Sequence, residues 1–172
     1  MKRSFPAFLV NGALHWISVK NSRGVSSRVI VSFDVSREEF VDILFPERSE
    51  MYWADDCVLG VLEECLGLGI YHKNIHLIHV WLMQEYGVRA SWTKRFSFST
   101  IDITVHNEWK LIWSSTNGEL LIHDGRHGKL IYDPKYHSYR VLKVHGIDDI
   151  KMQWSTPLNY LESLVSPNSI GN

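Results

Sequence analysis

A chain of 172 residues, 45% hydrophobic and 12% aromatic, holds enough apolar material for the core of one ordinary domain. Eighteen Lys and Arg against nineteen Asp and Glu leave a formal charge of −1 with no long basic block, which argues against a protein that tracks a phosphate backbone. The two cysteines, Cys57 and Cys65, form neither a CxxC nor a disulfide-dense pattern, and the most apolar window is far too short to cross a bilayer, so a soluble cytosolic or nuclear protein is expected.

The chain opens on Met1-Lys2-Arg3, but the apolar stretch from Ala7 to Val10 runs straight into Asn11-Gly12 without a cleavage-like site, and no signal peptide is read. In "FLVNGALHWISV", Asn11-Gly12 stands between two apolar runs, the strongest short-range signal for a tight two-residue hairpin turn. The segment "VIVSFDVSREEF" from Val29 is apolar up to Asp34, turns, and resumes at Phe40. A polar connector then carries Tyr52 and Trp53 among charges in "PERSEMYWADD".

Next comes "VLGVLEECLGLGIYH", a weaker hairpin with Glu64-Cys65 at the turn and no glycine there. The window after it, "VWLMQEYGVRASWTKRFSF" (residues 80–98), fits two readings. Ile75, Ile78, Leu82, Met83 and Tyr86 fall near helical spacing, whereas Gly87 and the aromatic residues past Ser91 fit two strands joined by a turn. The last third repeats the first: "LIWSSTNGELLIHDG" places Asn117-Gly118 between apolar runs, and "KLIYDPKYHSYRVLKV" follows from Lys129.

With Asp34, Trp81 and Asp133 in one column, the preceding residues Phe33, Val80 and Tyr132 are all apolar, and an aromatic returns after each turn at Phe40, Trp92 and Tyr139. The columns lie 47 and 52 residues apart, in the range of propeller blades. Within that frame, residues 80–98 read as a hairpin with a loop five residues longer than its counterparts. Each copy then holds four antiparallel strands, giving an all-β fold, a partial β-propeller of about three blades. Three blades would leave one blade face and one strand edge unpaired, so the chain alone is expected to be marginal or to associate.

The succession "VNGALHWI", "VSFDVSREEF", "VWLMQEYGVRASWTKRFSF", "NGELLI", "LIYDPKYHSYRVLKVHG" and "NYLESLVSP" resembles the F-box-associated region of the plant F-box/kelch-type proteins, from about Phe8 to Pro167. The resemblance implies a kelch-like propeller domain over residues 1–167, the C-terminal part of a larger propeller, with a short disordered tail at 168–172. It implies a non-catalytic substrate receptor of an SCF-type ubiquitin ligase, whose partner is a protein to be ubiquitinated. A Skp-type adaptor and a cullin would join only through an F-box, for which the four residues ahead of Phe5 leave no room. The other reading is a free-standing interaction scaffold or truncated product; a small-molecule or sugar-binding enzyme ranks third.

Residue chemistry supports no catalytic, cofactor or metal assignment. His72, His76 and His79 are spaced for a zinc pair only on a helix; on strands, His76 and His79 point to opposite faces, and no carboxylate or thiol stands near in sequence. The pairs Asp55-Asp56 and Glu63-Glu64, each beside a cysteine, lack the separation a glycosidase needs and the base a thiol needs, and read as solvated turns. "DGRHGK" (124–129) lacks the spacing of a phosphate loop. Trp16, Trp81, Trp92 and Trp113 read as packing residues, whereas Trp53 and Trp109 lie in polar connectors where something must cover them.

In an up-and-down blade the second turn and the link to the next blade share one side, and here those connectors are the longer ones. Arg23, Tyr52, Trp53, Asp55 and Arg126 are therefore the candidate partner-binding rim, with a buried Trp53 among ordinary solvent loops as the alternative.

Overall fold

The computed structural model describes residues 7–22, 24–47, 55–101, 109–124 and 128–142. Among them are three four-stranded antiparallel sheets, each built from four consecutive strands. Blade 1 comprises β1 (Phe8–Val10), β2 (Ala13–Ser22), β3 (Val25–Asp34) and β4 (Glu39–Ile43). Blade 2 comprises β5 (Asp56–Leu62), β6 (Cys65–His72), β7 (Leu77–Met83) and β8 (Trp92–Ser99). Blade 3 comprises β9 (Lys110–Ser114), β10 (Leu120–Asp124), β11 (Gly128–Asp133) and β12 (Ser138–Val141). The expected tail at 168–172 lies outside the described residues.

Residues 80–98 form a hairpin, with β7 and β8 paired from Leu77↔Ser99 to Met83↔Trp92. The helical spacing that competes with this reading comes from burial on both faces. Ile78, Val80 and Leu82 point into one core, shared with blade 3, while Trp81 and Met83 point into another, shared with blade 1. A strand covered on both sides loses its polar alternation and reads as a continuous apolar run.

The repeat is more regular than the sequence column makes it. Ala13, the first residue after the β1–β2 turn, pairs with Asp34, and Glu119 falls opposite Asp133 one step beyond the Leu120↔Tyr132 pair. The β6–β7 ladder, running through Gly67↔Leu82, puts Gln84 rather than Trp81 at that position. Asp34, Gln84 and Asp133 are 50 and 49 residues apart. The aromatic column holds, since Phe33↔Phe40, Met83↔Trp92 and Tyr132↔Tyr139 are equivalent pairs. Measured between these pairs, the middle loop is two residues longer, not five. A register shift between Val80 and Trp81 adds to the disguise. At both Asp34 and Asp133 the carboxylate accepts the backbone N–H groups two and three residues on, which fixes the four-residue turns.

The first turn of each blade differs in kind. Asn11 and Gly12 both have positive φ, 49° and 76°, as a two-residue primed turn requires. In blade 2 the turn is Glu63-Glu64, with Leu62 paired to Cys65, so the Glu64-Cys65 placement is one residue late. Both glutamates are forced to positive φ, 51° and 61°, where glycine or asparagine is the usual occupant. In blade 3 the Gly118 N–H donates to the Ser115 carbonyl and Ser115 pairs with Glu119, a three-residue loop with only Gly118 left-handed. Replacing Glu64 by Gly relieves one strained residue and leaves the Glu63–Arg95 ion pair in place. Glu64→Gly is expected to raise stability by about 0.5–1 kcal/mol in urea denaturation, the relief of strain exceeding glycine's entropy loss.

The blades stack through two apolar cores. Blades 1 and 2 share Val10, Ile17, Ile30, Leu66, Leu68, Ile70 and Trp81; blades 2 and 3 share Leu62, Ile78, Val80, Phe98, Trp109, Leu120 and Tyr132. Trp109, which the connector position left in need of cover, is 1% exposed and fills the second interface. Trp81 and Trp92 are buried as the sequence indicates, Trp16 is half-buried, and Trp53 lies outside the described residues. Two glycines make room at that interface. A Cβ on Gly69 would lie 2.4 Å from Cη2 of Trp109, and one on Gly60 would lie 2.9 Å from Cβ of Leu111.

Candidate functional site

Of the five rim residues, Arg23, Tyr52, Trp53 and Arg126 lie outside the described residues. Asp55 is described, and it is not on a rim. It is 1% exposed, and its Oδ2 accepts the Nδ1–H of His72 at 2.8 Å. The Nε2 of His72 in turn meets Nδ1 of His79 at 3.2 Å, with the two rings edge to face. His72 and His79 are diagonal neighbours across β6 and β7, His72 lying two ladder positions from the Ile70↔His79 pair, so they share the face toward blade 1. From blade 1, Arg28 donates through Nη1 to the Asp55 carbonyl at 2.5 Å and to Sγ of Cys57 at 3.1 Å. The carboxylate partner of His72 stands 17 residues away in sequence and a turn away in space.

This group resembles the orienting half of a catalytic triad, an acid holding an imidazole. Its chemistry is different. The nitrogen that would take a proton from a nucleophile faces His79. Burial pushes the Cys57 thiol up to about 11, against the opposing pull of Arg28, and Asp55 and Asp56 reinforce the rise. At neutral pH the sulfur is therefore a protonated thiol rather than a thiolate. Among the described residues no group of three or more His, Cys, Asp or Glu is placed to hold a metal ion. The network clasps blade 1 to blade 2 at one end of their apolar core.

A second clasp closes the other end. The long β7–β8 loop carries Tyr86 over blade 1, where its hydroxyl lies 2.9 Å from Nε2 of His15 and 2.9 Å from Oγ of Ser32. His15 Nδ1 is 3.1 Å from the Phe8 carbonyl, which can only accept, so Nδ1 carries the proton and Nε2 accepts from Tyr86. Ser32 then donates to the tyrosine oxygen. From the same hairpin Arg89 donates to the Phe45 carbonyl at 2.9 Å and the Trp92 indole to the Leu44 carbonyl at 3.0 Å. The two extra loop residues are what let blade 2 reach its neighbour, and sequence spacing gave no sign of the target.

His15 is fully buried, and that burial lowers its pKa from the ordinary 6.5, partly offset by hydrogen bonds with the backbone of Phe8 and Ala13. A depressed histidine pKa favours the folded state above the unfolded value and disfavours it as pH falls below about 6.5 toward the folded value. The urea midpoint is expected to drop across that window, and His15→Gln should flatten the drop by about one proton at most. Tyr86→Phe, which strips both partners of the hydroxyl, should cost about 1–3 kcal/mol at neutral pH.

The outer side of blade 1 is different again. Trp16, Phe33 and Phe40 form an aromatic cluster there, Phe33 and Phe40 with centroids 4.8 Å apart and Trp16 edge-on to Phe40 at 6.2 Å. Phe40 is 68% exposed and Leu9 is 58% exposed.

Stacked four-stranded blades of about fifty residues, held by interblade clasps, agree with what the chain matches: an F-box associated beta propeller domain, over residues 3–167. The chain belongs to the F-box associated β-propeller family. Among curated proteins it is 31% identical over 169 residues to an F-box protein of Arabidopsis thaliana, covering 86% of this chain and 38% of that protein. It is 28% identical over 174 residues to an F-box/kelch-repeat protein of the same plant, covering 98% of this chain and 42% of that protein. A third Arabidopsis relative, the F-box protein CPR1, is 37% identical over 90 residues, 52% of this chain and 22% of that protein. The chain thus spans about two fifths of the length of the first two relatives. No solved structure matches it. Among the described residues no helix is long and apolar enough to cross a membrane.

Proposed function

We propose that this F-box associated domain is the part of an F-box protein that captures a target protein for a cullin-based ubiquitin ligase. The observation that carries the reading is the family match across nearly the whole chain, with relatives that are F-box proteins. In this reading the domain binds and does not catalyse. A Skp-type adaptor and cullin are reached through an F-box, and the work is done in the cytosol or nucleus. The thiol state of Cys57 and the occupied imidazole of His72 support a binding role over nucleophilic chemistry. Arg23, Tyr52, Trp53 and Arg126 stand as proposed target contacts, while Asp55 serves the fold.

The test is competition. The 172-residue chain expressed in plant cells with no F-box fused to it should occupy the target without delivering it, so a specific protein accumulates and its ubiquitinated forms decline. A Tyr52→Ala/Trp53→Ala double variant should lose that effect while its unfolding midpoint stays within the range of ordinary surface changes. Accumulation of no protein, or the same accumulation with the double variant, contradicts the respective parts of the reading.

A further inference from the structure

We infer that His15 makes the β7–β8 loop a proton-controlled latch on blade 1, seated while the imidazole is neutral and lifted when it becomes a cation. His15, Tyr86 and Ser32 play no part in the ligase reading, and all three lie in the seam between two described blades.

The loop is held lightly. Residues 84–90 are all exposed, so little apolar burial ties them to blade 1. What does tie them is polar, Tyr86 to His15 and Ser32 and Arg89 to the Phe45 carbonyl. Segments with few buried contacts open ahead of the core beneath them. His15 is 0% exposed, and the Tyr86 ring stands edge-on to it with centroids 5.5 Å apart. Tyr86 is thus part of what shields the imidazole from water.

The charge balance around His15 makes the latch sensitive to protons. The groups that face it are the Phe8 carbonyl from β1, the Ala13 backbone from β2, the Ser32 hydroxyl from β3 and the Tyr86 hydroxyl from the loop. The blade 2 residues in this seam, Leu66, Leu68, Trp81 and Met83, are apolar. On the same face of β3, Asp34 is diagonal to His15 and holds the N–H groups of Ser36 and Arg37, with Glu39 opposite it on β4. In the loop Glu85 is exposed and Arg89 is paired with Glu47. Among the described residues no carboxylate is hydrogen-bonded to the His15 ring. As pH falls, a proton from solvent adds to Nε2, and both ring nitrogens become donors. Reversing the chain, so that Nε2–H donates to Tyr86 and Tyr86 to Ser32, restores the bonds but leaves a buried cation without a bonded counter-ion. Lifting the loop gives that cation water. The burial that lowers the His15 pKa in the seated state is the same conflict seen from the proton's side. A lifted loop returns the ring to its ordinary value of 6.5, so the ratio of lifted to seated should rise as pH falls below about 6.5, by up to about tenfold per pH unit until the seated-state value is passed.

Nuclear magnetic resonance of the 172-residue chain, from about pH 7.5 down to about pH 5, reads the latch directly. Magnetisation transfer between the Tyr86 and His15 rings should fade along the titration of the His15 ring, while the amides of Leu68 and Ile70 stay protected from exchange. In His15→Gln, which offers a donor and an acceptor but does not titrate, the Tyr86 ring signals should no longer move with pH over that range. If His15→Gln does not fold, the shared midpoint in the unaltered chain decides alone. A ring contact unchanged down to about pH 5, a midpoint that differs from that of His15, a pH effect that persists in folded His15→Gln, or Leu68 and Ile70 losing protection together with the contact would each overturn the proposal.

Discussion

Trp109→Ala is expected to remove about 3–5 kcal/mol of stability, the range for deleting a large buried aromatic side chain. Trp109 is 1% exposed and belongs to the core joining blades 2 and 3, so its loss opens a void that two sheets, each fixed by its own ladder, cannot close. Its partner in shape is Gly69, where an added Cβ would sit 2.4 Å from Cη2 of the indole. Gly69→Ala should therefore cost about 1–3 kcal/mol by overpacking. Phenylalanine lacks the second indole ring, and among the described residues the Trp109 Nε1 has no hydrogen-bond partner to lose. In a Trp109→Phe background the cost of Gly69→Ala should shrink. Urea denaturation of the four proteins gives the coupling directly. Additivity to within about 0.5 kcal/mol would mean that the ring and the glycine do not meet.

The second large effect is expected at Asp55. Asp55→Ala leaves the Nδ1–H of His72 buried without its acceptor and should destabilise the chain by about 3 kcal/mol, as the breaking of buried pairs does. Asp55→Asn keeps an oxygen acceptor and should lose less. Were Asp55 a solvent-facing rim residue, the alanine variant would stay within about 0.5 kcal/mol of the parent and change only partner capture. Thermal or urea unfolding therefore distinguishes a fold residue from a contact residue here without knowledge of the partner.

Much of the architecture was legible because the strand ends announce themselves. Asn11-Gly12, the Asp34 and Asp133 turns and the returning aromatics Phe40, Trp92 and Tyr139 are local signals with local causes, and they gave the four-strand unit and its approximate period. The errors lie where a local signal was missing or imitated. Glu63-Glu64 adopts a turn that glycine normally marks, so the sequence pattern points to a position one residue late. Trp81 looked like a repeat signature because β7 is apolar on both faces, which hides the true column residue Gln84. The clasps were out of reach for another reason. Tyr86 meets residues 71 and 54 positions away, and Asp55 meets a histidine 17 positions away across a turn. Residues drawn together only by blade stacking leave no spacing to read, and a buried Asp55 looks in sequence like one more acidic loop residue.

The account as a whole requires that blade 2 be enclosed between its neighbours. Residue-resolved amide hydrogen exchange measures that enclosure. The amides of Leu68, Ile70, Ile78 and Val80 should be the slowest in the chain, opening only with global unfolding, while those of β4 (Glu39–Ile43), at the outer edge of blade 1, exchange well before them. Exchange at Ile78 and Val80 as fast as at Phe40 and Val41, or a helical protection pattern running from Ile75 through Tyr86, would contradict the three-blade stack.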